Sequence, residues 1–230
     1  MELSKYQEVQ GIAKEVLSQL EEYISEKSTE ASIVMLATQL LAKQGANDTW
    51  YHNVPALVLL GKRSCLSVSG KEYIPAHEAA GLSNLVTVDL SPSIDQHWGD
   101  CARSYCIEEG QFSPIPRSNE FIEGIQVEKL LHEEMINFVS PETKFSDLFE
   151  YGNNLISNSG YENLDFLSNL GHSIETDLKD RKFIDKGCSE ELGSVQLFTF
   201  EPHIRKRGNS WGFKHENIYY FDTNGNTVEL

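Results

Sequence analysis

Residues 85–107 read LVTVDLSPSIDQHWGDCARSYCI, and the rest of the chain is interpreted outward from this stretch. Val86, Val88 and Leu90 alternate with polar residues, which is the period of a strand with one buried face. Turn-forming residues follow, and a second short strand runs through 103–107. The pattern predicts a β-hairpin at the centre of the fold.

Each arm of this predicted hairpin carries a carboxylate, Asp89 on the first arm and Asp100 at the start of the second. Burying a carboxylate in an apolar strand costs free energy unless a partner neutralises it. Two carboxylates that face each other repel, and a cation between them removes the repulsion. The alternative is a pair of solvent-facing acids on an edge hairpin, and these two residues alone leave both interpretations open.

The size and composition of the chain indicate one globular domain spanning residues 1–230. Apolar residues make up 40% of the sequence, which is enough for a sizeable core, and no apolar run approaches the length of a transmembrane helix. The first eight residues, MELSKYQE, are charged and do not resemble a signal peptide. No linker is rich enough in glycine or serine to separate two domains.

The charge and the cysteines restrict the partners and the compartment. The net charge is −16, which argues against nucleic acid or an anionic membrane surface as a partner. The four cysteines show no CxxC spacing, so we expect reduced thiols in a cytoplasmic protein and no cysteine-ligated zinc. Bound cations would compensate some of the excess acid.

Helices and strands alternate in a pattern that occurs twice. Residues 4–27 have the spacing of an amphipathic helix, and a second helix starts after Ser28 or Thr29 and ends at Gly45. A hairpin is predicted from strands 56–60 and 64–68. A third helix buries a side that runs from Phe121 to Phe138, and a fourth runs from Phe145 to Gly160. The predicted order is therefore a helix pair, strands, a second helix pair and further strands, which indicates an α+β fold.

Three short motifs in the last seventy residues carry further candidates. His172 follows a glycine in LGHSI, Glu201 ends the strand of VQLFTFEP, and Glu216 precedes the strand of GFKHENIYYF. Each of these side chains, taken singly, is more often structural than functional.

Taken together, the segments VTVDLSPSIDQHWGDCAR, LGHSI, FTFEP and FKHENIYYF resemble one enzyme family, that of methionine aminopeptidase, aminopeptidase P, prolidase and creatinase. The specific signals are the eleven-residue step from Asp89 to Asp100 and a Glu-Pro pair about thirty residues beyond a Gly-His. The resemblance implies the pita-bread fold, in which pseudo-twofold helix pairs pack on a curved antiparallel sheet. It covers nearly the whole chain but not the N-terminal domain that prolidases usually carry.

The resemblance also implies a centre of two divalent ions. By analogy Asp100 and Glu216 bridge the ions, Asp89 holds one, and His172 and Glu201 hold the other. Four carboxylates and one imidazole suit Mn, Fe, Co or Zn in the divalent state. Two such ions about 3.5–4 Å apart activate a bridging water and polarise a carbonyl. Glu201 is the expected general base.

The residues around this centre depart from the family pattern. Relatives often have a histidine seven residues past the ligand histidine, where this chain has Lys179, which could donate to an oxyanion or be a surface charge. Another family histidine lies seventeen residues before the first aspartate, where this chain has Glu72, and His77 is the nearest substitute. His203 follows Glu201-Pro202 where relatives often have glycine, and it is expected to stand in for a missing histidine.

The function expected from these residues is that of a cytoplasmic metal-dependent hydrolase, an aminopeptidase for Xaa-Pro or related small peptides. The substrate pocket is expected around Trp50, His52, His97 and Trp98. For His52 the alternative is an ordinary half-buried histidine with no role in binding. A metalloenzyme for a small non-peptide substrate and a non-catalytic binding module are the alternatives. The sequence leaves a homodimer open.

Overall fold

The fold consists of four helices and short antiparallel strands; the structure, a computed structural model, describes residues 3–230. The helices are α1 (Leu3–Leu20), α2 (Glu30–Lys43), α3 (Asn119–Phe138) and α4 (Phe145–Asn158). The strands before α3 are β1 (Asp48–Thr49), β2 (Ala56–Leu60), β3 (Asn84–Leu90), β4 (Pro92–Ile94), β5 (His97–Trp98), β6 (Cys101–Glu108) and β7 (Gln111–Phe112). The strands after α4 are β8 (Tyr161–Asn163), β9 (Phe198–Phe200), β10 (His203–Lys206), β11 (Gly212–Lys214), β12 (Asn217–Phe221) and β13 (Thr227–Glu229).

The first half of the chain packs α1 and α2 on a four-stranded antiparallel sheet in the order β2-β3-β6-β7. The predicted central hairpin is present as the pair β3 and β6, in which Asp89 lies opposite Ala102. Between these strands β4 and β5 form a smaller hairpin that pairs with β1. Apolar side chains of both helices and of β2, β3 and β6 form one core cluster.

The second half repeats this arrangement with α3 and α4 against two three-stranded sheets, β11-β10-β8 and β13-β12-β9. A backbone bridge between Ala102 and Glu216 connects the two halves, and another between Ser173 and Phe198 brings residues 171–174 to β9. The predicted α+β order of helix pair, strands, helix pair and strands is confirmed, as is the fold of antiparallel sheets covered by paired helices.

Several helix ends follow the sequence signals. Thr29 and Ser32 form a reciprocal capping box at the start of α2. Gly45 and Gly160 adopt φ values of +94° and +81° just after α2 and α4, a left-handed conformation that glycine tolerates best. The helix predicted over 4–27 was too long. Helix α1 ends at Leu20, and residues 21–23 form a turn.

The hairpin predicted from 56–60 and 64–68 is not formed. Strand β2 pairs with β3, which lies further along the chain, so its partner is not the next apolar segment. Gly61 has φ of +64° and starts a 3₁₀ helix, Gly61–Cys65, in place of the second strand. Ser64 then donates to the Gly61 carbonyl and accepts from the N–H of Gly212, which ties this turn to β11.

The four cysteines are all free, in agreement with the expected thiols. Within residues 3–230 no helix combines the length and the apolar character needed to cross a membrane.

Candidate metal centre

The structure brings the five predicted ligand residues together from five segments of the chain. Asp89, Asp100 and Glu216 each place a carboxylate oxygen within 4.8 Å of the other two. Nε2 of His172 lies 3.4 Å from Oδ2 of Asp100 and 3.8 Å from Oε1 of Glu201. The convergence arises because β3, β6, β9 and the β11–β12 junction meet at the seam between the two halves of the fold.

Gly171 allows His172 to reach this seam. Its φ is +144°, and a Cβ at this position would lie 2.3 Å from the carbonyl oxygen of Thr199. The backbone N–H of His172 donates to Oγ1 of Thr199 at 3.0 Å, and the N–H of Thr199 donates to the His172 carbonyl at 2.7 Å. Only glycine permits this close approach, so the Gly-His pair in the sequence has a steric cause.

The imidazole of His172 presents a lone pair to the centre. Nδ1 lies 2.9 Å from the carbonyl oxygen of Ser173, an acceptor, so Nδ1 carries the hydrogen in this contact. Burial lowers the pKa of His172 to about 4, so the ring is neutral near pH 7 and Nε2 is unprotonated. This nitrogen is therefore available as a metal ligand and faces two carboxylate oxygens without a hydrogen to share.

Lys214 also lies in the centre and was not among the predicted site residues. Its Nζ is 2.6 Å from Oδ2 of Asp89, 2.9 Å from Oε2 of Glu201 and 3.4 Å from Oε2 of Glu216. The sequence signal was available, because residues two apart in an extended segment point to the same side and Lys214 precedes Glu216 by two. Burial disfavours the charged amine, but the acids outweigh it and raise the pKa of Lys214 well above its ordinary value.

The carboxyl groups differ in protonation because burial and neighbouring charges act on them unequally. Burial, followed by the charges of neighbouring acids, raises the pKa of Asp100 and Glu216 well above the ordinary range. Burial also raises the pKa of Asp89, against the opposing effect of Lys214. At Glu201 burial acts in the same direction, but Lys214 and His172 outweigh it and lower the pKa. Glu201 is therefore the group best kept as a carboxylate.

The donor set fits a divalent cation. Oδ2 of Asp100 and both carboxylate oxygens of Glu216 are buried and form no hydrogen bond among residues 3–230; their neighbours His172 and Lys214 lie at the longer distance of 3.4 Å. Buried oxygens of this kind are costly unless a cation or a proton satisfies them. Oxygen ligands with one imidazole suit divalent ions such as Mn, Fe, Co and Zn.

Arg103 holds the backbone beneath Glu216. Its guanidinium donates to the carbonyl oxygens of Ala102 and Glu216 at 2.7 and 2.8 Å and to Oδ1 of Asn217 at 2.8 Å. These bonds join the start of β6 to the β11–β12 junction, and so they fix the distance between Asp100 and Glu216. Arg103 was not predicted to have this role.

A pocket of about 380 Å³ opens from the centre. Trp50 and His52 line it, as predicted, together with Arg181 and Phe183, which were not predicted. The guanidinium carbon of Arg181 lies 5.4 Å from the ring of Trp50 and 5.1 Å from that of Phe183, at cation–π distance from both. The two rings therefore orient Arg181 toward the pocket.

The other predicted pocket residues, His97 and Trp98, lie behind the pocket wall. The Trp98 ring is buried and stacks on Trp50 at 4.6 Å, and His97 contacts the ring of Tyr6 at 4.7 Å. Neither residue is part of the pocket surface. Trp98 supports the orientation of Trp50, whose Nε1 donates to the Gly99 carbonyl at 2.9 Å.

Of the three residues expected to replace family histidines, only His203 lines the pocket. Its Nε2 lies 2.6 Å from the carbonyl oxygen of Ser64, and burial lowers the pKa of His203 to about 4. Lys179 is 76% exposed and pairs with Asp177 at 3.1 Å, and His77 is exposed. The structure does not bring Lys179 or His77 to the pocket.

The chain is similar to known proteins in both sequence and fold. The sequence profile of metallopeptidase family M24 matches residues 4–222. The X-Pro aminopeptidase of Thermotoga maritima superposes with a TM-score of 0.82 at 18% identity, over 99% of this chain and 60% of that one. For the prolidase of Pyrococcus furiosus the TM-score is 0.81 at 18% identity, over 99% and 63%.

The methionine aminopeptidase of Rickettsia prowazekii has a TM-score of 0.77 at 17% identity, and the match covers 99% of this chain and 95% of that one. The chain thus spans about 60% of the X-Pro aminopeptidase but nearly the full length of the methionine aminopeptidase. At these identities the structural matches show a shared fold. A search of the curated proteins found no match.

Proposed function

Because the chain belongs to metallopeptidase family M24, we propose that it is a metal-dependent hydrolase acting on small peptides. The observation that carries the proposal is the set of buried carboxylate oxygens of Asp100 and Glu216 that have no hydrogen-bond partner among the described residues. Asp100 also lines a pocket that has the size of a small ligand site. A site of this kind holds a cation next to a substrate.

The residues that could hold metal in this centre are Asp89, Asp100, His172, Glu201 and Glu216. When bound, a divalent ion supplies Lewis acidity and lowers the pKa of water, which is the chemistry of hydrolysis near neutral pH. The resemblance implies two ions in such a centre. Lys214 already places one positive charge there, and its effect on the number of ions is considered below. Within the protein, Glu201 is the candidate general base, because Lys214 and His172 lower its pKa and keep it in the carboxylate form, which can accept a proton.

The pocket supports a small peptide as the substrate. Trp50, His52 and Phe183 provide an aromatic and apolar wall, and Arg181 is a cation without an ion-pair partner among the described residues. Several proteins of similar fold are named X-Pro aminopeptidase or prolidase, so peptides with proline after the scissile bond are the first class to test.

His203 is the histidine placed to contact this substrate. Its Nε2 contact with the Ser64 carbonyl leaves Nδ1 as an acceptor in the neutral ring. In this tautomer His203 can accept a hydrogen from a substrate amine but cannot donate to an oxyanion without losing the Ser64 bond. His203 would therefore take the place of a family histidine as a hydrogen-bond acceptor, but not as the donor that stabilises an oxyanion.

A second candidate is a hydrolase or lyase for a small non-peptide molecule. The observation that favours it is the absence of Lys179 and His77 from the pocket, which leaves a peptide oxyanion without the donor expected from the resemblance. Creatinase, which the sequence also resembles, shows that the fold accommodates such substrates.

The test is a substrate panel on metal-stripped protein reconstituted with Mn²⁺, Co²⁺, Fe²⁺ or Zn²⁺. The panel contains Xaa-Pro, Met-Xaa and other dipeptides, and release of the free amino acid is measured. We expect release only with metal and its loss in Glu201→Gln, while the exposed Glu191→Gln variant retains the wild-type rate. Metal binding without release from any peptide would support the non-peptide substrate, and no metal binding would contradict both functions.

A further inference from the structure

We infer that the centre holds a single divalent cation, on its His172 side, and that the ammonium group of Lys214 takes the place of a second cation beside Asp89. The inference rests on the metal-dependent function proposed above and concerns the number and position of the ions. It differs from the two-ion expectation that the family resemblance implies. Two observations carry it, one for each side of the centre.

On the Asp89 side, a positive charge is already present. Nζ of Lys214 contacts Oδ2 of Asp89, Oε2 of Glu201 and Oε2 of Glu216 at 2.6–3.4 Å. A divalent ion bound to these same oxygens would occupy the position of the ammonium group, because metal–oxygen distances are about 2.0–2.2 Å. Two cations cannot share these three oxygen atoms.

The position of Lys214 follows from the strand that carries it. The N–H of Lys214 donates to Oγ of Ser104 at 2.8 Å, and Oγ of Ser104 donates to the Lys214 carbonyl at 3.0 Å. The preceding side chain, Phe213, is fully buried in the core on the opposite face of the strand. Lys214 therefore shares the face of Glu216, and its side chain is directed into the centre by the backbone.

Withdrawal of Lys214 to admit a second ion would leave it without compensation. Its side chain is only 17% exposed, and the three ion pairs that the described residues give it are all with acids of this centre. A buried ammonium group without a carboxylate partner is strongly destabilising. The structure thus favours the arrangement in which Lys214 stays paired with Asp89.

On the His172 side, a cation is needed. Nδ1 of His172 faces the Ser173 carbonyl, so the unprotonated Nε2 faces Oδ2 of Asp100 at 3.4 Å and Oε1 of Glu201 at 3.8 Å. Oδ2 of Asp100 is buried and has no hydrogen-bond partner among the described residues, so these converging atoms form a ligand set that no protein group satisfies. A divalent ion bound by His172, Asp100, Glu201 and Glu216 would satisfy it, and the ion pairs of Lys214 among the described residues are with Asp89, Glu201 and Glu216, not with Asp100.

The test is the metal stoichiometry of the full chain, measured without substrate. Chelator-stripped protein is titrated with Mn²⁺ by calorimetry, bound metal is determined by elemental analysis after gel filtration, and electron paramagnetic resonance detects coupled ion pairs. Wild type is compared with Lys214→Met, which removes the charge at similar length, and with Lys214→Arg, which keeps it. Circular dichroism and thermal unfolding confirm that each variant is folded.

We expect one ion per chain for wild type and Lys214→Arg, and two ions with a spin-coupled signal for Lys214→Met. A second pair of variants locates the ion: His172→Ala loses it, whereas Asp89→Asn, whose partner is Lys214, retains one ion per chain. Two ions in wild type would overturn the inference while leaving the proposed hydrolase intact. One ion in Lys214→Met would also overturn it, and no bound ion in wild type would contradict the proposed function itself.

Discussion

Nε2 of His172 lies 3.4 Å from Oδ2 of Asp100, and the neutral imidazole, whose hydrogen is on Nδ1, has none at Nε2 to offer that oxygen. The two residues come from opposite halves of the chain, His172 from the segment beside β9 and Asp100 from the start of β6. With Asp100 ionised the contact is unfavourable by itself, and it becomes favourable with a cation between the two atoms. The candidate function follows from this relationship.

Replacing Asp100 with Asn should remove most of the metal affinity. The amide keeps the shape of the side chain but loses the charge, so we expect the affinity for Mn²⁺ to fall by about 100-fold or more, with a matching loss of turnover. Asp95→Asn is the control, because Asp95 is exposed in the turn between β4 and β5 and its positive φ of 48° is tolerated by Asn. Equal affinities for the two variants would exclude Asp100 as a ligand.

Replacing Gly171 with Ala should damage both stability and the metal site. The new Cβ would lie 2.3 Å from the Thr199 carbonyl oxygen, so the backbone must move and carry His172 with it. We expect a loss of about 3 kcal/mol in the free energy of unfolding. Gly160→Ala, also at positive φ but with open space around it, should cost about 1 kcal/mol and leave metal binding unchanged. Denaturant unfolding and metal titration of both variants provide the check.

Replacing Arg103 with Met should destabilise the junction between the two halves. The carbonyl oxygens of Ala102 and Glu216 and the side chain of Asn217 would lose a donor, and we expect a cost of about 3 kcal/mol. Metal affinity should fall as well, because Glu216 is no longer fixed relative to Asp100. The exposed Arg117→Met should change stability by less than about 0.5 kcal/mol. A stable Arg103→Met variant with normal metal affinity would contradict this role.

A pH dependence is expected from a buried histidine outside the metal centre. Burial lowers the pKa of His132 to about 3, and its ring nitrogens contact the Tyr219 hydroxyl at 2.7 Å and the His215 carbonyl at 3.1 Å. The pKa of His132 is lower in the folded than in the unfolded state. Its contribution to stability is therefore present above the unfolded-state pKa and is lost as the pH falls toward the folded-state pKa. His132 should account for about 2 kcal/mol of the stability lost between pH 7 and pH 5.

The measurement compares the free energy of unfolding at pH 7 and pH 5 for wild type and His132→Gln. The variant should lose less stability on acidification, by that amount, because its side chain takes up no proton when the chain unfolds. His77→Gln, at an exposed position, should retain the wild-type slope. A His132→Gln slope equal to that of wild type would show that His132 is protonated in the folded state.

Local patterns in the sequence were sufficient for the helices and for the central pair of strands. The alternation of Val86, Val88 and Leu90 corresponds to β3, and Thr29 and Gly160 mark helix ends where they were expected. The strand predicted at 64–68 failed because the partner of β2 is chosen by non-local pairing with β3. A short apolar run does not encode which strand will pair with it.

The candidate ligands could be proposed from the sequence because their spacing is specific, whereas most of the polar residues around them were not identified. Lys214 was overlooked because a lysine in a polar strand end resembles a surface residue until the fold buries it. Arg181 and His203 face the pocket and Lys179 faces solvent, although all are polar residues near predicted ligands. Only the path of the loops between β8 and β9 decides which of Lys179 and Arg181 reaches the pocket.

The most direct test of the account is anomalous diffraction from crystals of the full chain loaded with Mn²⁺, recorded on both sides of the manganese absorption edge. We predict an anomalous peak at metal–ligand distance from Nε2 of His172 and from oxygens of Asp100, Glu201 and Glu216, with Lys214 still paired to Asp89. Loaded crystals without a peak among these residues, or with the peak bound elsewhere on the chain, would contradict the claim that their convergence serves to hold a cation.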